Sequence, residues 1–245
     1  MTTDTSDQHG LSSHYHSEHR RERVFLALAG IFVTNAILAE LIGGKLFTWG
    51  PFTMSLGVLP WPIVFLATDL VNEYFGKNGV RRLTFMTVAL IIYAFVILFL
   101  GILIPAAGFS PVSDEAFQKV FGQSLWIIAG SLIAFLASQL VDVFVFWLVR
   151  SRTQGRLLWL RATGSTAVSQ LIDTFVILGI AFYLPGKLNF EEYILTSVSN
   201  YSYKLGIAIA LTPLIYLGHN IIDQYLGEKK SQEMIEEAVE ESLDR

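Results

Sequence analysis

Long apolar segments constrain this chain more than any other feature of its sequence. Runs of about 18 or more mostly apolar residues recur along the 245 residues, with short polar breaks between them. About 20 consecutive apolar residues span the hydrocarbon core of a bilayer as one helix. Only 16% of the residues are charged and the mean hydropathy is +0.51, whereas soluble domains carry about a quarter charged residues. The pattern predicts a multi-pass membrane protein and excludes an ordinary soluble enzyme, a nucleic-acid binder and a disordered chain.

Six of these segments predict an all-α fold with six transmembrane helices. They lie at about residues 24–43, 56–75, 83–104, 125–149, 166–184 and 193–217. Lys and Arg set the orientation, because cytoplasmic loops are enriched in them. The two termini and the second and fourth loops carry two to four basic residues each, and every other loop carries one. Both termini are therefore predicted to be cytoplasmic.

The chain is predicted to contain one membrane domain, residues 23–218, between two tails. Residues 1–22 are polar and predict a disordered cytoplasmic tail without a cleavable signal peptide. Residues 219–245 predict an acidic cytoplasmic tail, helical and solvated. The four His of the first tail lack metal-ligand spacing and the chain has no Cys, so we expect neither a metal nor another cofactor.

Polar side chains occur inside the predicted spans, where a charge costs about 2.5–3.5 kcal/mol on insertion scales. Their spacing of three or four residues places each group on one helix face, and lipid cannot satisfy such a face. The candidate substrate-binding residues are Asn35, Asp69, Glu73, Gln139, Asp142, Gln170, Asp173, Asn200 and Lys204. Structural alternatives stay open: a buried ion pair for the acids and the Lys, interhelical hydrogen bonds for the Gln residues, and surface solvation for Glu73.

A seven-residue pattern, [ST]-[DQ]-L-[VI]-[DN]-x-[YF], occurs at residues 68–74, 138–144 and 169–175. The first and last copies lie in the second and fifth spans, which correspond in a three-plus-three division and run in opposite directions. This favours an inverted repeat, an arrangement that places transport sites between the two halves. The middle copy does not fit that scheme, and a chance match stays open.

The polar residues suit a small, flat, polar solute. A carboxylate accepts two N–H bonds from an amidine-like edge, an amide donates and accepts, and a Lys meets a carbonyl oxygen. The sequence has no Walker A, H-E-x-x-H or G-x-S-x-G motif, so we expect a transporter and not an enzyme. Energy must then come from an ion gradient, from the gradient of the solute or from a separate subunit. The five Trp and 18 Phe do not single out an aromatic that stacks on the solute.

Four motifs resemble the bacterial queuosine-precursor transporters of the vitamin-uptake-transporter class. They are Thr34-Asn35 with Gly43-Gly44-Lys45, Asp69-Leu-Val-Asn-Glu-Tyr-Phe-Gly76, Ser169-Gln-Leu-Ile-Asp173-Thr-Phe and Asn200-Tyr-Ser-Tyr-Lys204. The resemblance covers residues 24–218. It implies a six-helix inner-membrane protein that imports the 7-deazaguanines preQ0 and preQ1 for tRNA modification.

The resemblance also implies roles for single residues. Asp142 or Asp173 is expected to pair with the amidine edge of the solute, and Gln139 or Gln170 with O6 or N3, while Lys204 balances the acids. A different class stays open, namely a substrate-binding membrane subunit for a vitamin-like solute that needs a separate ATP-driven partner. The expected partners are the small-molecule substrate and membrane lipid, without nucleic acid, and a homodimer is compatible with so small a bundle.

Overall fold

Seven α-helices and one short hairpin form the fold in the computed structural model, which describes residues 5–43, 45–50, 52–122, 125–153 and 157–243. The hairpin pairs β1 (Leu46–Trp49) with β2 (Phe52–Ser55) in antiparallel register. The helices are α1 (Thr5–Ile42), α2 (Trp61–Leu103), α3 (Asp114–Phe121), α4 (Leu125–Thr153), α5 (Leu158–Leu178), α6 (Phe190–Leu226) and α7 (Glu228–Leu243). A short 3₁₀ turn precedes α2 and a π-helical turn follows α5. The all-α prediction is confirmed.

Five helical stretches of the described residues are long and apolar enough to cross a membrane. They are Glu18–Ile42, Leu56–Leu103, Asp114–Thr153, Leu158–Tyr183 and Phe190–Leu226. The second of them contains two of the predicted spans. A straight helix with the 43 residues of α2 would be about 65 Å long, which is twice the ~30 Å thickness of the hydrocarbon core.

Gly76 interrupts α2 and divides it into two segments. Its φ of 65° and ψ of −169° are not helical, and glycine adopts a positive φ without the steric penalty that a Cβ brings. The break lies between the predicted second and third spans. The second segment begins at Lys77, several residues before the predicted start of the third span, because Val80 and Leu83 are buried against the bundle.

Other helices also extend beyond the predicted spans. Helix α5 begins at Leu158, eight residues before the predicted span, because Arg161 and Ala162 are buried inside the bundle. Helix α6 continues to Leu226, where Ile222 and Leu226 join the core. That core is built around the fully buried Phe32, Tyr74 and Phe135, while the second segment of α2 exposes large apolar side chains, as a lipid-facing helix does.

Helix α7 packs against the bundle instead of projecting into solvent. Ser231, Met234 and Ala238 are buried, and their spacing places them on one face of the helix. A Cβ added to Gly76 would lie 3.2 Å from the carbonyl oxygen of Ala238, so the two backbones approach closely. The predicted helix is present, but only one of its faces is solvated. The other face carries a narrow stripe of small and apolar residues that is hidden among many acids in the sequence.

Helix α1 reaches toward α7 at its N-terminal end. Arg21 pairs with Glu237 at 3.0 Å, and Glu18 pairs with Lys230 at 3.5 Å. The structure is helical from Thr5 onward, where the sequence predicts a disordered tail over residues 1–22. These ion pairs are partly exposed, so each adds at most about 1 kcal/mol. Residues 1–4 lie outside the described part of the chain.

Candidate functional site

A narrow polar cavity lies between α2, α4 and α5. Two aromatic residues and seven polar ones line it: Trp61, Phe65, Thr68, Ser138, Gln139, Asp142, Thr166, Ser169 and Gln170. Its empty space, including space open to solvent, is about 260 Å³. Pockets that enclose small ligands usually measure about 300–1,000 Å³, so the walls must separate somewhat to enclose a solute.

All three copies of the seven-residue pattern meet at this cavity. The first residue of each copy, Thr68, Ser138 or Ser169, belongs to the cavity wall. The pattern therefore marks the three helices that build the site, and the middle copy is part of it. Because the same positions face the cavity from each helix, a short hydroxyl-bearing side chain leaves room for a solute beside every helix.

Hydrogen bonds fix part of the wall. Ser169 Oγ donates to Asp142 Oδ1 at 3.0 Å, and Gln139 Nε2 donates to Thr68 Oγ1 at 3.5 Å. Two acceptors of the wall, Asp142 Oδ2 and Gln170 Oε1, have no partner among the described residues although both side chains are buried. Buried polar atoms almost always have a hydrogen-bond partner, so these oxygens point to a missing donor.

Asp69 borders a second cavity that adjoins the first. The two cavities share Phe65 and Thr166, and the second encloses about 290 Å³, including space open to solvent. Asp69 is 4% exposed, and its Oδ1 has no partner within the described chain. Its electrostatic neighbours are Asp142, Glu73 and Arg161. Asp69 and Asp142 therefore interact electrostatically across two adjoining cavities.

Glu73 lies one helical turn from Asp69 and does not line either cavity. Its Oε2 accepts a hydrogen bond from Arg150 at 3.1 Å, and its Oε1 accepts one from Arg161 at 2.5 Å. All three side chains are at least nine-tenths buried. The alternative of surface solvation for Glu73 is wrong, because this triad connects α2 to α4 and α5.

Sequence reasoning missed both Arg residues of the triad. Arg150 and Arg161 lie in the fourth predicted loop, between residues 149 and 166, whose basic residues served only to set the orientation of the chain. The rings of Trp147 and Phe146 lie 5.0 and 5.7 Å from the two guanidinium groups, which shields the triad from water. The sequence signal that could have revealed them is Glu73, because a carboxylate buried in a bundle needs cationic partners. Arg150 and Arg161 lie at the adjoining ends of α4 and α5.

A second missed network follows Glu73 directly. Tyr74 Oη donates to Asp223 Oδ1 at 2.6 Å and lies 2.9 Å from His219 Nδ1. A phenol has one proton, so Nδ1 must carry the hydrogen in this bond. Ser231 Oγ also donates to Asp223, which joins α7 to the network. The partners of Tyr74 are more than 140 residues away in sequence, and no spacing rule reveals them.

Asp173 and Lys204 form a separate pair. Lys204 Nζ lies 2.7 Å from Asp173 Oδ2, and the two side chains are 12% and 8% exposed. Asp173 is four residues from Ser169, which corresponds to about 6 Å along α5. It therefore lies one helical turn from Ser169, the residue that bonds to Asp142. Glu40, which accepts a hydrogen bond from Ser131, is an electrostatic neighbour of Asp173.

The predicted site residues thus separate into groups. Gln139, Asp142 and Gln170 line the main cavity, and Asp69 adjoins it. Asn35 and Asn200 belong to neither wall. Their amides donate to carbonyl oxygens of their own helices, at Ile31 and Thr196, at 2.8 and 2.9 Å.

Membrane-length helices around a buried polar cavity are the architecture of a multi-pass membrane protein that can bind a small solute. The family model described as "Putative vitamin uptake transporter" matches residues 55–218, which include every residue of the two cavity walls. This chain belongs to the putative vitamin uptake transporter family. It is a transporter and not an enzyme, as the sequence predicts.

Curated relatives agree with this family. The chain is 34% identical to the "Probable queuosine precursor transporter" of Bacillus subtilis (strain 168), over 69% of this chain and 73% of that protein. It is 29% identical to the "Queuosine precursor transporter" of Escherichia coli (strain K12), over 74% of this chain and 77% of the relative. The chain is 30% identical to a "Probable queuosine precursor transporter" of Haemophilus influenzae, over 65% of this chain and 66% of that protein. The predicted family resemblance is confirmed. No solved structure matches this chain.

Proposed function

We propose that this protein imports queuosine precursors, preQ0 or preQ1 or both, across the bacterial inner membrane. The names of three relatives support the substrate class. The protein then crosses the membrane six times with both termini in the cytoplasm, and Gly76 separates the second span from the third. In this orientation the triad of Glu73, Arg150 and Arg161 lies on the cytoplasmic side of the cavity, and the pair of Asp173 and Lys204 lies on the outer side.

The cavity wall carries this proposal, because it offers both a face and an edge to a planar base. Trp61 and Phe65 are stacked, with ring centroids 5.8 Å apart and an interplanar angle of 22°. An aromatic face stacks on any base. We infer that Trp61 stacks on the 7-deazaguanine ring.

The unpartnered oxygens supply the edge. Asp142 Oδ2 and Gln170 Oε1 are acceptors of the cavity wall that find no donor among the described residues, and a guanine-like edge presents adjacent N–H donors. Gln139 offers a donor to the base carbonyl once its long bond to Thr68 opens. A solute of this shape satisfies the buried acceptors, which otherwise destabilise the bundle by about 1–3 kcal/mol each.

Uptake of labelled preQ0 and preQ1 into proteoliposomes that contain only this protein tests the proposal. We expect saturable uptake by the wild type and its loss in Gln170→Leu, which keeps the side-chain size and removes the acceptor. Gln232→Leu makes the same change at an exposed position of α7 and is expected to leave uptake intact. Elution as a monodisperse peak shows that each variant is folded.

The other outcomes are informative. Saturable binding without uptake would favour a binding subunit that needs an ATP-driven partner. Absence of both binding and uptake for preQ0 and preQ1 would contradict the proposed substrates and leave the family and the fold in place.

A further inference from the structure

The buried acids of the described residues differ in whether a cation pairs with them. Glu73 is paired with two Arg residues, and Asp173 with Lys204. No ion pair joins Asp69 or Asp142 to a cation within the described residues, although both are about 5% exposed or less. An unpaired carboxylate in a low-dielectric interior is strongly unfavourable. A proton or a bound cation at the junction of the two cavities would remove this cost.

The net charge of the five ionisable residues around this junction indicates how much positive charge is needed. Asp69 interacts electrostatically with two other carboxylates, Asp142 and Glu73, and with Arg161, and Glu73 pairs with Arg161 and Arg150. When all five are ionised, one negative charge remains. A single proton neutralises the cluster.

Buried oxygen atoms without a hydrogen-bond partner in the described structure offer a binding site for that proton. Asp69 Oδ1 and Asp142 Oδ2 have no partner among the described residues. Asn72, one turn further along the same face of α2, is fully buried with both polar atoms of its amide unpartnered. Two buried carboxyl groups that interact electrostatically favour binding one proton between them, because keeping two nearby like charges ionised in a buried site is costly.

We propose that Asp69 and Asp142 bind one proton between them and that its movement into the cell drives import of the base. This inference rests on the proposed function and extends it to the energy source. Asp142 belongs to the base cavity and Asp69 to the adjoining one, so base and proton occupy neighbouring positions in one occluded space.

The geometry gives an order of events. Donors of the bound base hydrogen-bond to Asp142 as a carboxylate, which places the proton on Asp69. After the base leaves, the O–H bond of Asp69 breaks and the proton enters the cytoplasm. The groups that face Asp69 are Glu73 on α2, Asp142 on α4 and Arg161 on α5, while α6 contributes apolar side chains to its cavity. Arg161 stabilises the ionised Asp69 that remains.

Steady-state accumulation of labelled preQ0 in proteoliposomes tests this coupling. The interior is set one pH unit above the exterior, and the membrane potential is clamped at zero. One proton per base gives an inside concentration about tenfold above the outside, because a tenfold proton gradient corresponds to about 1.4 kcal/mol. As a second assay, exchange of external labelled preQ0 for internal unlabelled preQ0 is measured without a pH gradient. This counterflow reports transport independently of proton coupling.

Asp69→Asn tests the proton site apart from the base site, because Asp69 is not part of the base cavity wall, whereas Asp142→Asn changes both sites. In Asp69→Asn and in Asp142→Asn we expect the accumulation ratio to fall to about one. This ratio is an equilibrium quantity, so a slower rate does not mimic the result. Asp114→Asn, at the exposed start of α3, is the matched control and keeps the tenfold ratio.

Three results would overturn the inference: counterflow without any pH-driven accumulation, accumulation driven by a sodium gradient alone, or tenfold accumulation that persists in both variants. Infrared spectroscopy tests the proton site without a substrate. The wild-type protein is expected to show a protonated carboxyl band at neutral pH that the Asp69→Asn/Asp142→Asn double variant lacks. A wild type without this band overturns the proton site even if preQ0 is carried, and absence of counterflow contradicts the proposed function instead.

Discussion

Two layers of buried charge, about one helical turn apart on α2, are built in opposite ways. In the compensated layer, Glu73 has both oxygens occupied by Arg150 and Arg161. In the open layer, Asp69, Asp142 and Gln170 each keep an oxygen without a partner in the described structure. The two layers are similarly buried, so they differ in whether their polar atoms have hydrogen-bond partners. The compensated layer connects three helices, while the open layer is available to a ligand.

The largest effect is expected when the compensated layer is broken. Glu73→Gln leaves two buried guanidinium groups without their carboxylate, which should lower the free energy of unfolding by about 3–5 kcal/mol. Thermal unfolding in detergent measures it, with Glu240→Gln at an exposed position of α7 as the control. If Glu73→Gln lowered the free energy of unfolding by less than about 1 kcal/mol, the ion pairs of the compensated layer would not be important for stability.

The pair of Asp173 and Lys204 tests whether a compensated pair next to the open layer also serves transport. Asp173→Asn should lower uptake by roughly 10- to 100-fold, since a charged hydrogen bond contributes about 1.5–3 kcal/mol. The double variant Asp173→Asn/Lys204→Gln removes the uncompensated charge as well. We expect it to fold and to remain inactive, whereas recovery of uptake would show that the pair only supports the fold.

The aromatic wall beside the open layer is probed by Trp61→Ala. Loss of stacking should weaken preQ0 binding by about 1–3 kcal/mol, with a smaller loss for Trp61→Phe. Trp126→Ala, at a half-exposed position of α4, should leave the affinity unchanged. Isothermal titration in detergent measures all three, and equal losses for Trp61→Ala and Trp126→Ala would contradict the role of Trp61.

The break that ends the first segment of α2 is expected to have a smaller effect. Gly76→Ala forces a side chain into a positive φ and toward the backbone of Ala238, which should destabilise the protein by about 1–2 kcal/mol. Gly206→Ala adds the same methyl group inside α6 with no atom within 4 Å and should be neutral or slightly stabilising. We expect a lower melting temperature for Gly76→Ala than for Gly206→Ala. Equal melting temperatures would contradict this prediction.

The smallest change in stability is expected in the open layer. Asp69→Asn replaces a buried carboxyl group that has no partner cation among the described residues with a neutral amide of the same shape, so the free energy of unfolding should stay within about 1 kcal/mol of the wild type or rise. A residue that is retained for activity at the expense of stability behaves in this way. Chemical unfolding of Asp69→Asn beside Glu73→Gln gives the comparison directly, and similar losses in both variants would remove the distinction between the layers.

Sequence patterns predicted the parts of this molecule that local physics determines. Apolar length predicted the membrane helices, and three-residue spacing placed Gln139 with Asp142 on the face that borders the cavity. The partners of Glu73 and Tyr74 were missed because long side chains and distant helices meet only in three dimensions. Trp61 could not be chosen among the aromatics, since stacking on Phe65 beside the cavity is a tertiary property.

Helix α7 also has a consequence for biosynthesis. It is translated after all the membrane helices that it contacts, and at about 5–20 residues per second those helices are inserted before it leaves the ribosome. Until then Phe146 and Trp147, which pack with Ala238, lack one of their partners. A chain that stops before Ser231 would therefore present an unfinished surface at the end of the bundle, which cellular quality control can recognise and remove.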